Sequence, residues 1–147
     1  MFCDLVGSTA LAERLDPEEL SDLLRAYQTT AADAVRAFDG HVAQHLGDGL
    51  LVYFGYPVAH EDDAQRAVHA SLRLLEAMVA VNARLDPTTR LGVRVGIHTG
   101  PVVTGDVGTG ATTERLALGS TPNIAARLQG LAAPDTVVVS GATLGLL

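Results

Sequence analysis

The sequence contains no lysine, and arginine supplies all ten of its basic residues. Seventeen acidic residues leave the chain with a formal net charge of −7. A protein that binds a nucleic-acid backbone needs clustered basic side chains, so this acidic composition argues against nucleic acid as a partner. The composition is compatible with a nucleotide ligand, provided that metal ions balance the charge of the phosphates.

Cysteine and long apolar runs are also scarce. The single cysteine, Cys3, cannot form an internal disulfide, which favours a reducing compartment. No uninterrupted apolar stretch reaches the roughly 18 residues of a membrane span, and Asp4 stands where a secretory signal would need a basic and then an apolar segment. We therefore expect a cytoplasmic domain without a membrane segment. The 147 residues suit one domain over 1–147, and the abrupt start of its first strand leads us to expect further residues upstream.

Hydrophobic periodicity and turn signals predict an α+β domain with helices packed on a mixed sheet. The strongest helix start is Asp16-Pro17, with Asp as N-cap and Pro in the first turn. The clearest hairpin signal is Gly47-Asp48-Gly49, which separates two strand-like runs. The predicted strands are 2–6, the two arms of a hairpin over 42–54, 91–98, 102–103 and 136–139, and the predicted helices are a short one after residue 7, 16–39, 60–85 and 121–131.

Two acidic residues lie at positions where their carboxylates could bind a metal ion. Asp4 lies within an apolar strand, where an uncompensated charge is costly, and Asp48 lies at the tip of the predicted hairpin. Carboxylates on neighbouring strands can bind a pair of Mg²⁺ ions that take their remaining ligands from substrate phosphates. Simpler interpretations stay open at this point, because Asp is common in Asp-Gly turns for its backbone geometry and Asp4 could cap the helix that follows.

Four segments of the chain resemble the motifs of class III adenylate and guanylate cyclases, in the order in which that family carries them. The segments are FCDLVGST over residues 2–9, LGDGLLVYFG over 46–55, VGIHTG over 95–100 and GSTPNIAARL over 119–128. The likeness is greatest to bacterial cyclase domains that are attached to ATPase or regulatory modules. This resemblance implies a ferredoxin-like α+β fold with a mixed, mostly antiparallel sheet, and flanking regulatory domains in a longer parent protein.

The resemblance also implies a metal site. Asp4, Asp48 and the backbone carbonyl of Leu5 would hold two divalent ions, Mg²⁺ or Mn²⁺, in each active site. One ion would activate the ribose 3′-hydroxyl of ATP and the other would bind the triphosphate, so that the products are cyclic AMP and pyrophosphate. Backbone N–H groups in the turn after the first strand would bind the terminal phosphate; this turn consists of Gly7, Ser8 and Thr9.

The remaining chemistry would come from the predicted helix over 121–131. By the resemblance, Asn123 orients the ribose and Arg127 stabilises the charge that grows on the α-phosphate. Their four-residue spacing puts them on one face of a helix, although without the resemblance such a pair is typical of a solvated face. In this family one subunit supplies the metal-binding acids, and its partner supplies the base-reading and transition-state residues. We therefore expect a homodimer with shared sites.

The chain departs from the family at the positions that recognise the base. Adenylate cyclases typically have a lysine four residues before the second metal acid and an aspartate or threonine seven before the asparagine; here those positions hold Gln44 and Leu116. The amide of Gln44 can pair with a purine edge, whereas the side chain of Leu116 cannot. ATP is therefore the expected substrate on resemblance, and GTP is not excluded.

Two phosphate contacts of the family are replaced as well. Pro101 stands where many relatives have an arginine, and the phosphate-binding lysine would fall beyond Leu147, so we expect the C-terminal end of the domain to be missing. Arg94 and Arg115 are candidate substitutes, but the sequence favours surface or interface charges at both positions.

Two other functions stay open. A degenerate cyclase domain could serve as a nucleotide-binding or dimerising regulatory module, which the departures at 44, 101 and 116 favour and the intact acids oppose. A domain related to diguanylate cyclases or polymerase palms ranks last, because its hairpin would read Gly-Gly-acid-acid-Phe.

Overall fold

The computed structural model describes the backbone of residues 1–107 and 114–147 and the side chains of residues 1–104 and 119–147. In chain order the elements are β1 (Phe2–Val6), α1 (Ser8–Arg14), α2 (Pro17–Arg36), β2 (His41–Leu46), β3 (Gly49–Tyr53), α3 (Asp63–Asn82), β4 (Gly92–Ile97), β5 (Val103–Val107), β6 (Glu114–Leu118), α4 (Ser120–Leu131), β7 (Thr136–Val139) and α5 (Gly141–Leu144). Five strands form one sheet in the order β2-β3-β1-β4-β7, and β5 pairs with β6 in a separate ribbon.

This architecture confirms the predicted α+β class and mixed sheet. All pairs in the sheet are antiparallel except β4 with β7, which runs parallel. The predicted order of elements is found, with two additions that the sequence patterns did not indicate, β6 and the four-residue α5. In the described part of the chain, none of the helices is long and apolar enough to cross a membrane.

Helix α2 begins where the sequence predicts. The Asp16 carboxylate accepts hydrogen bonds from the backbone N–H groups of Glu18 and Glu19, and the Glu19 side chain accepts one from the Asp16 N–H. This capping box satisfies donors that the first helical turn would otherwise leave free. The helix ends at Arg36, three residues before the predicted end, and the chain turns through Asp39 in a left-handed conformation (φ 57°).

The core lies between one face of the sheet and helices α2 and α3. Alternate residues of each strand point to this face, and the central ones are fully buried. Apolar residues from β1, β3 and β4 meet side chains of α2 and α3 in one cluster, which includes Cys3, Tyr27, Leu50, Leu74, Met78, Val93 and Val95. Within it, the Tyr27 hydroxyl donates to the Cys3 sulfur at 3.5 Å.

Helix α4 covers the opposite face of the sheet, and Gly96 of β4 permits this contact. A Cβ atom at position 96 would clash with the backbone of Ala125 and of Gln129 in α4. Thr121, Ala125 and Gln129 are spaced four residues apart and form the buried side of the helix. The glycine is therefore needed for close approach of helix and strand.

The substitution Gly96→Ala should lower the free energy of unfolding by about 1–3 kcal/mol, because α4 must move away from the sheet. Urea denaturation of both proteins would measure the change. Gly130→Ala is the matched control: a Cβ at Gly130, also in α4, meets open space, and the lost backbone freedom should make that variant equally or more stable. Equal stability of Gly96→Ala and the wild type would contradict the close contact.

Burial of Cys3 gives a second prediction, at alkaline pH. Burial raises the pKa of the Cys3 thiol from its ordinary value of 9.0 to about 11, although the hydrogen bond from Tyr27 opposes the shift. The unfolded thiol therefore ionises first, and the free energy of unfolding should fall by about 2 kcal/mol as the pH rises from 9 toward 11. Below pH 9 this contribution is fully present.

Denaturation at pH 8 and pH 10 would measure the effect, with Cys3→Ala as the variant that lacks this titration. The folded wild type should also resist thiol reagents that modify it at once in urea. Rapid modification of the folded protein would show that the sulfur is accessible and would overturn the argument.

Candidate active site

Asp4 lies in the middle of β1, on the sheet face that α4 covers. Its neighbours Cys3 and Leu5 point to the core and are buried. Asp4 stands opposite Arg94 of β4, whose Nε and Nη2 atoms lie 3.4 Å from the two carboxylate oxygens. From α4, Gln129 Nε2 donates a hydrogen bond of 2.5 Å to Asp4 Oδ1. Both oxygens of Asp4 thus face donors of the same chain.

The electrostatic surroundings of Asp4 disfavour its charged form. Burial raises the pKa of Asp4 above its ordinary value, the charge and hydrogen bond of Arg94 lower it, and the negative charge of Asp48 raises it again. The net shift of the pKa is upward. Asp4 and Asp48 therefore repel each other, and a cation between them would favour the ionised form of Asp4.

Asp48 occupies the turn between β2 and β3, after Gly47 in a left-handed conformation (φ 63°). The Ser8 hydroxyl donates a hydrogen bond of 2.5 Å to Asp48 Oδ2. Ser8 is the first residue of α1, and Gly7 before it is left-handed as well (φ 77°). The structure thus brings the predicted second metal acid next to the predicted phosphate turn, with Thr9 exposed at its end.

A β-bulge sets the direction of Gln44. The register of β2 on β3 shifts between Val42 and Gln44, and Gln44 lies opposite Leu51. Leu51 in turn lies opposite Phe2 of β1, two residues before Asp4. Because directly opposed residues share a face and strand residues alternate, Gln44 lies on the same face of the sheet as Asp4. Without the bulge, Gln44 would point to the core face.

For two predicted site residues, Leu5 and Leu116, the structure gives the strand pairing but not the predicted contact. Leu5, whose carbonyl is a predicted metal ligand, lies opposite Val93, and its side chain is in the core. Leu116 lies in β6 opposite Gly105, and its side chain is outside the described residues, so its predicted place at the base stays a prediction.

Asn123 and Arg127 lie apart from the two acids. Both are exposed, one turn apart along α4. The side of α4 that faces the sheet carries Ala125 and Gln129, and Ala125 lies about 200° around the helix from both Asn123 and Arg127. A single chain therefore brings Asp4 near Asp48 but turns Asn123 and Arg127 away from them.

Sequence reasoning missed Gln129 and the pairing of Arg94 with Asp4. Arg94 is half-buried beside Asp4 and not a free surface charge. Its position between the buried Val93 and Val95 could have placed it on the Asp4 face by alternation. The spacing of Thr121, Ala125 and Gln129 could likewise have indicated a buried helix side, but only the register of the strands shows what that side meets.

The side chains of this site offer few metal ligands, and those ligands are the hard oxygen atoms of two carboxylates. In the described part of the chain no group of three or more His, Cys, Asp and Glu side chains converges as a closed metal cage would require. Two carboxylates that repel each other suit ions such as Mg²⁺ or Mn²⁺, which keep water and substrate oxygens as ligands. The arrangement fits an open site completed by phosphate.

The family model described as the adenylate and guanylate cyclase catalytic domain matches residues 1–147. An adenylate cyclase of Streptomyces griseus is 39% identical over 96% of this chain, and adenylate cyclase 1 of Rhizobium meliloti (strain 1021) is 33% identical over 98%. Among solved structures, a guanylyl cyclase superposes with a TM-score of 0.93 at 32% identity, covering 99% of this chain and 75% of that one. The adenylyl cyclase CyaB from P. aeruginosa also gives 0.93, at 28% identity, with coverage of 99% and 76%.

These matches define a nucleotidyl cyclase catalytic domain of class III, as the four sequence motifs indicated. The chain belongs to the adenylate and guanylate cyclase family over its whole length. It spans 30% of the Streptomyces protein and 22% of the Rhizobium protein. Relatives of both substrate types occur, since human retinal guanylyl cyclase 1 is 31% identical over 99% of the chain.

Proposed function

We propose that this domain converts ATP to 3′,5′-cyclic AMP and pyrophosphate, at two sites shared between the subunits of a homodimer. The observation that carries the proposal is the division of the site residues within one chain. Asp4 and Asp48 lie near enough to interact electrostatically, while Asn123 and Arg127 are exposed on another side of α4. A second copy could supply the missing pair to each acidic half-site.

The acidic half-site fits two divalent ions. Asp4, Asp48 and the carbonyl of Leu5 would hold them, and the bound ions would supply an activated 3′-oxygen and charge neutralisation at the triphosphate. The chain's other residues would position ATP. Backbone N–H groups of the 7–9 turn, Gly7, Ser8 and Thr9, would bind the terminal phosphate.

The second copy would act at the reacting phosphorus. Asn123 would hold the ribose so that its 3′-oxygen lies in line with the α-phosphate, and Arg127 would stabilise the negative charge of the transition state. The bond from the 3′-oxygen to the α-phosphorus forms, the bond from that phosphorus to the oxygen shared with the β-phosphate breaks, and the 3′-hydroxyl proton passes to water. Pyrophosphate leaves.

The preference for ATP rests on the two bacterial relatives named adenylate cyclase and on Gln44. Its amide, turned by the bulge to the Asp4 face, can donate to and accept from a purine edge. The side chain of Leu116 would make an apolar contact with the base but could not form a hydrogen bond with it. Discrimination against GTP should therefore be weaker than a site with two polar contacts gives.

A second function is favoured by one observation. Arg94 and Gln129 already engage both oxygens of Asp4, which compensates its charge without any ion. This arrangement, with Pro101 in place of an arginine, also suits a nucleotide-binding or dimerising regulatory module with little activity. In either case the parent protein would carry regulatory domains beside this one.

The substitution Asp48→Asn should abolish cyclase activity and leave the fold intact. Loss of one metal ligand should lower cyclic AMP formation by about a hundredfold or more. The melting temperature without metal should not fall, because a charge that repels Asp4 has been removed. Asp22→Asn, the same change at an exposed position of α2, is the control. Activity of Asp48→Asn equal to the wild type would exclude the two-metal assignment.

Mixing two inactive chains tests whether sites are shared. Asp48→Asn chains keep Asn123 and Arg127, and Arg127→Ala chains keep both acids, so each mixed dimer should contain one intact site. Cyclic AMP production should return on mixing, to about a quarter of the wild-type value, since half of the dimers are mixed and each has one good site. No recovery would contradict shared sites.

Parallel assays with ATP and GTP in Mn²⁺ test the substrate. We expect cyclic AMP to form faster, and Gln44→Leu to lower kcat/KM for ATP by about tenfold while the ratio of ATP to GTP use moves toward one. Gln65→Leu, at an exposed position of α3, is the matched control. Bound nucleotide with no product from either substrate would favour the regulatory module.

A further inference from the structure

Gln129 makes the shortest contact to the Asp4 carboxylate, and no family motif in the sequence includes it. It is only 5% exposed, on the side of α4 that faces the sheet. Its Nε2 donates to Asp4 Oδ1 at 2.5 Å, whereas both contacts of Arg94 with this carboxylate are 3.4 Å long. The amide is therefore the closer partner of the two.

Three features of the fold hold the amide there. Gly96 leaves room for the backbone of α4 on β4. The strand pairing puts Gly96 opposite Phe2 and Arg94 opposite Asp4, so the surface under the helix includes the Asp4 side chain. Burial of Gln129 leaves few other rotamers for its side chain, which makes its direction fixed before any ligand binds.

The chemistry of an amide differs from that of a second cation at this place. A carboxylate has about four lone-pair positions, and Gln129 uses one of them without adding positive charge. Asp4 keeps its attraction for a metal ion and loses rotational freedom. With Arg94 alone, the carboxylate would be free to turn toward the guanidinium, and its oxygens would then be less available to the ion.

We propose that Gln129 is a positioning residue for the metal-binding reaction of this domain: its amide holds Asp4 in the orientation that receives a divalent ion. The inference rests on the proposed function, since it takes Asp4 as a metal ligand. Gln129 itself touches neither ion nor nucleotide in this scheme and acts through Asp4.

Binding of Mn²⁺ alone, with no nucleotide and no turnover, tests the role of Gln129 directly. Gln129→Met keeps the size of the side chain and removes the donor. Its Kd for Mn²⁺, from electron paramagnetic resonance of the free ion, should rise by about 10–100-fold. Gln65→Met makes the same change on the exposed side of α3 and should bind Mn²⁺ like the wild type.

Cooperative thermal unfolding of Gln129→Met without metal would show that the variant is folded. A Kd equal to that of the wild type in a folded Gln129→Met protein would overturn the proposal. Should the variant fail to fold, Gln129→Leu serves in its place, because it also removes the donor and adds no charge. The same weakening of Mn²⁺ binding is then expected, and an unchanged Kd again overturns the proposal.

Mixed dimers separate positioning of Asp4 from a merely structural role in α4. In a dimer of Asp48→Asn and Arg127→Ala chains, the second chain supplies Asp4 to the working site. Adding Gln129→Met to that chain should raise the Mn²⁺ concentration for half-maximal activity by about tenfold or more. Adding it to the Asp48→Asn chain, which supplies only Asn123 and Arg127, should leave activity as in the parent mixture.

The opposite pattern would show that Gln129 acts by placing α4, and the proposal would be wrong. If the parent mixture shows no activity, the shared-site function fails by itself, and the Mn²⁺ affinity of the unmixed variant still decides the role of Gln129.

Discussion

The site depends on one constraint, an ionised carboxylate on a central strand whose neighbours belong to the core. Asp4 lies between Cys3 and Leu5, which are 0% and 3% exposed, and burial works against its charge. Arg94 from the adjacent strand and the amide of Gln129 from α4 partly compensate this cost by contacting the carboxylate. The fold then adds Asp48, a charge of the same sign. The repulsion between the two acids costs stability, whereas a cation held between them would be attracted by both.

Helix α4 carries two sets of residues on different sides. The helical period puts residues four apart on the same side and residues two apart on different sides. Residues 121, 125 and 129 face the sheet, where Gly96 and Asp4 lie, and residues 123 and 127 face solvent. The same helix therefore supports the acid of its own chain and presents the proposed transition-state pair away from it. Within one chain the pair therefore lies on a different side of α4 from Asp4, and in the proposed shared site a second copy would supply it.

The local signals in the sequence predicted the elements well. Asp16 marks the start of α2 to the residue, and the strand 136–139 is found with its predicted bounds. The patterns missed β6 because Glu114 and Arg115 interrupt its apolar run, and α5 because four residues contain no helical period. The motifs named Asp4, Asp48, Asn123 and Arg127, but not Gln129. Its contact with Asp4 joins residues 125 apart and depends on strand register, a glycine at the crossing point and the direction of the helix. None of these is a local property.

The absence of lysine limits how the chain could balance the charge of a triphosphate. Several arginines already have partners: Arg36 and Arg66 pair with carboxylates near them in sequence, Arg90 pairs with Asp135, and Arg94 pairs with Asp4. Among the side chains that the structure describes, Arg127 forms no ion pair within the chain, so its charge is available to a group outside it. The guanidinium of Arg127 by itself cannot offset a triphosphate, and the sequence has a net charge of −7. Under the proposed function, divalent ions held near Asp4 and Asp48 would balance much of that charge, and the orientation of Asp4 would affect how well they are held.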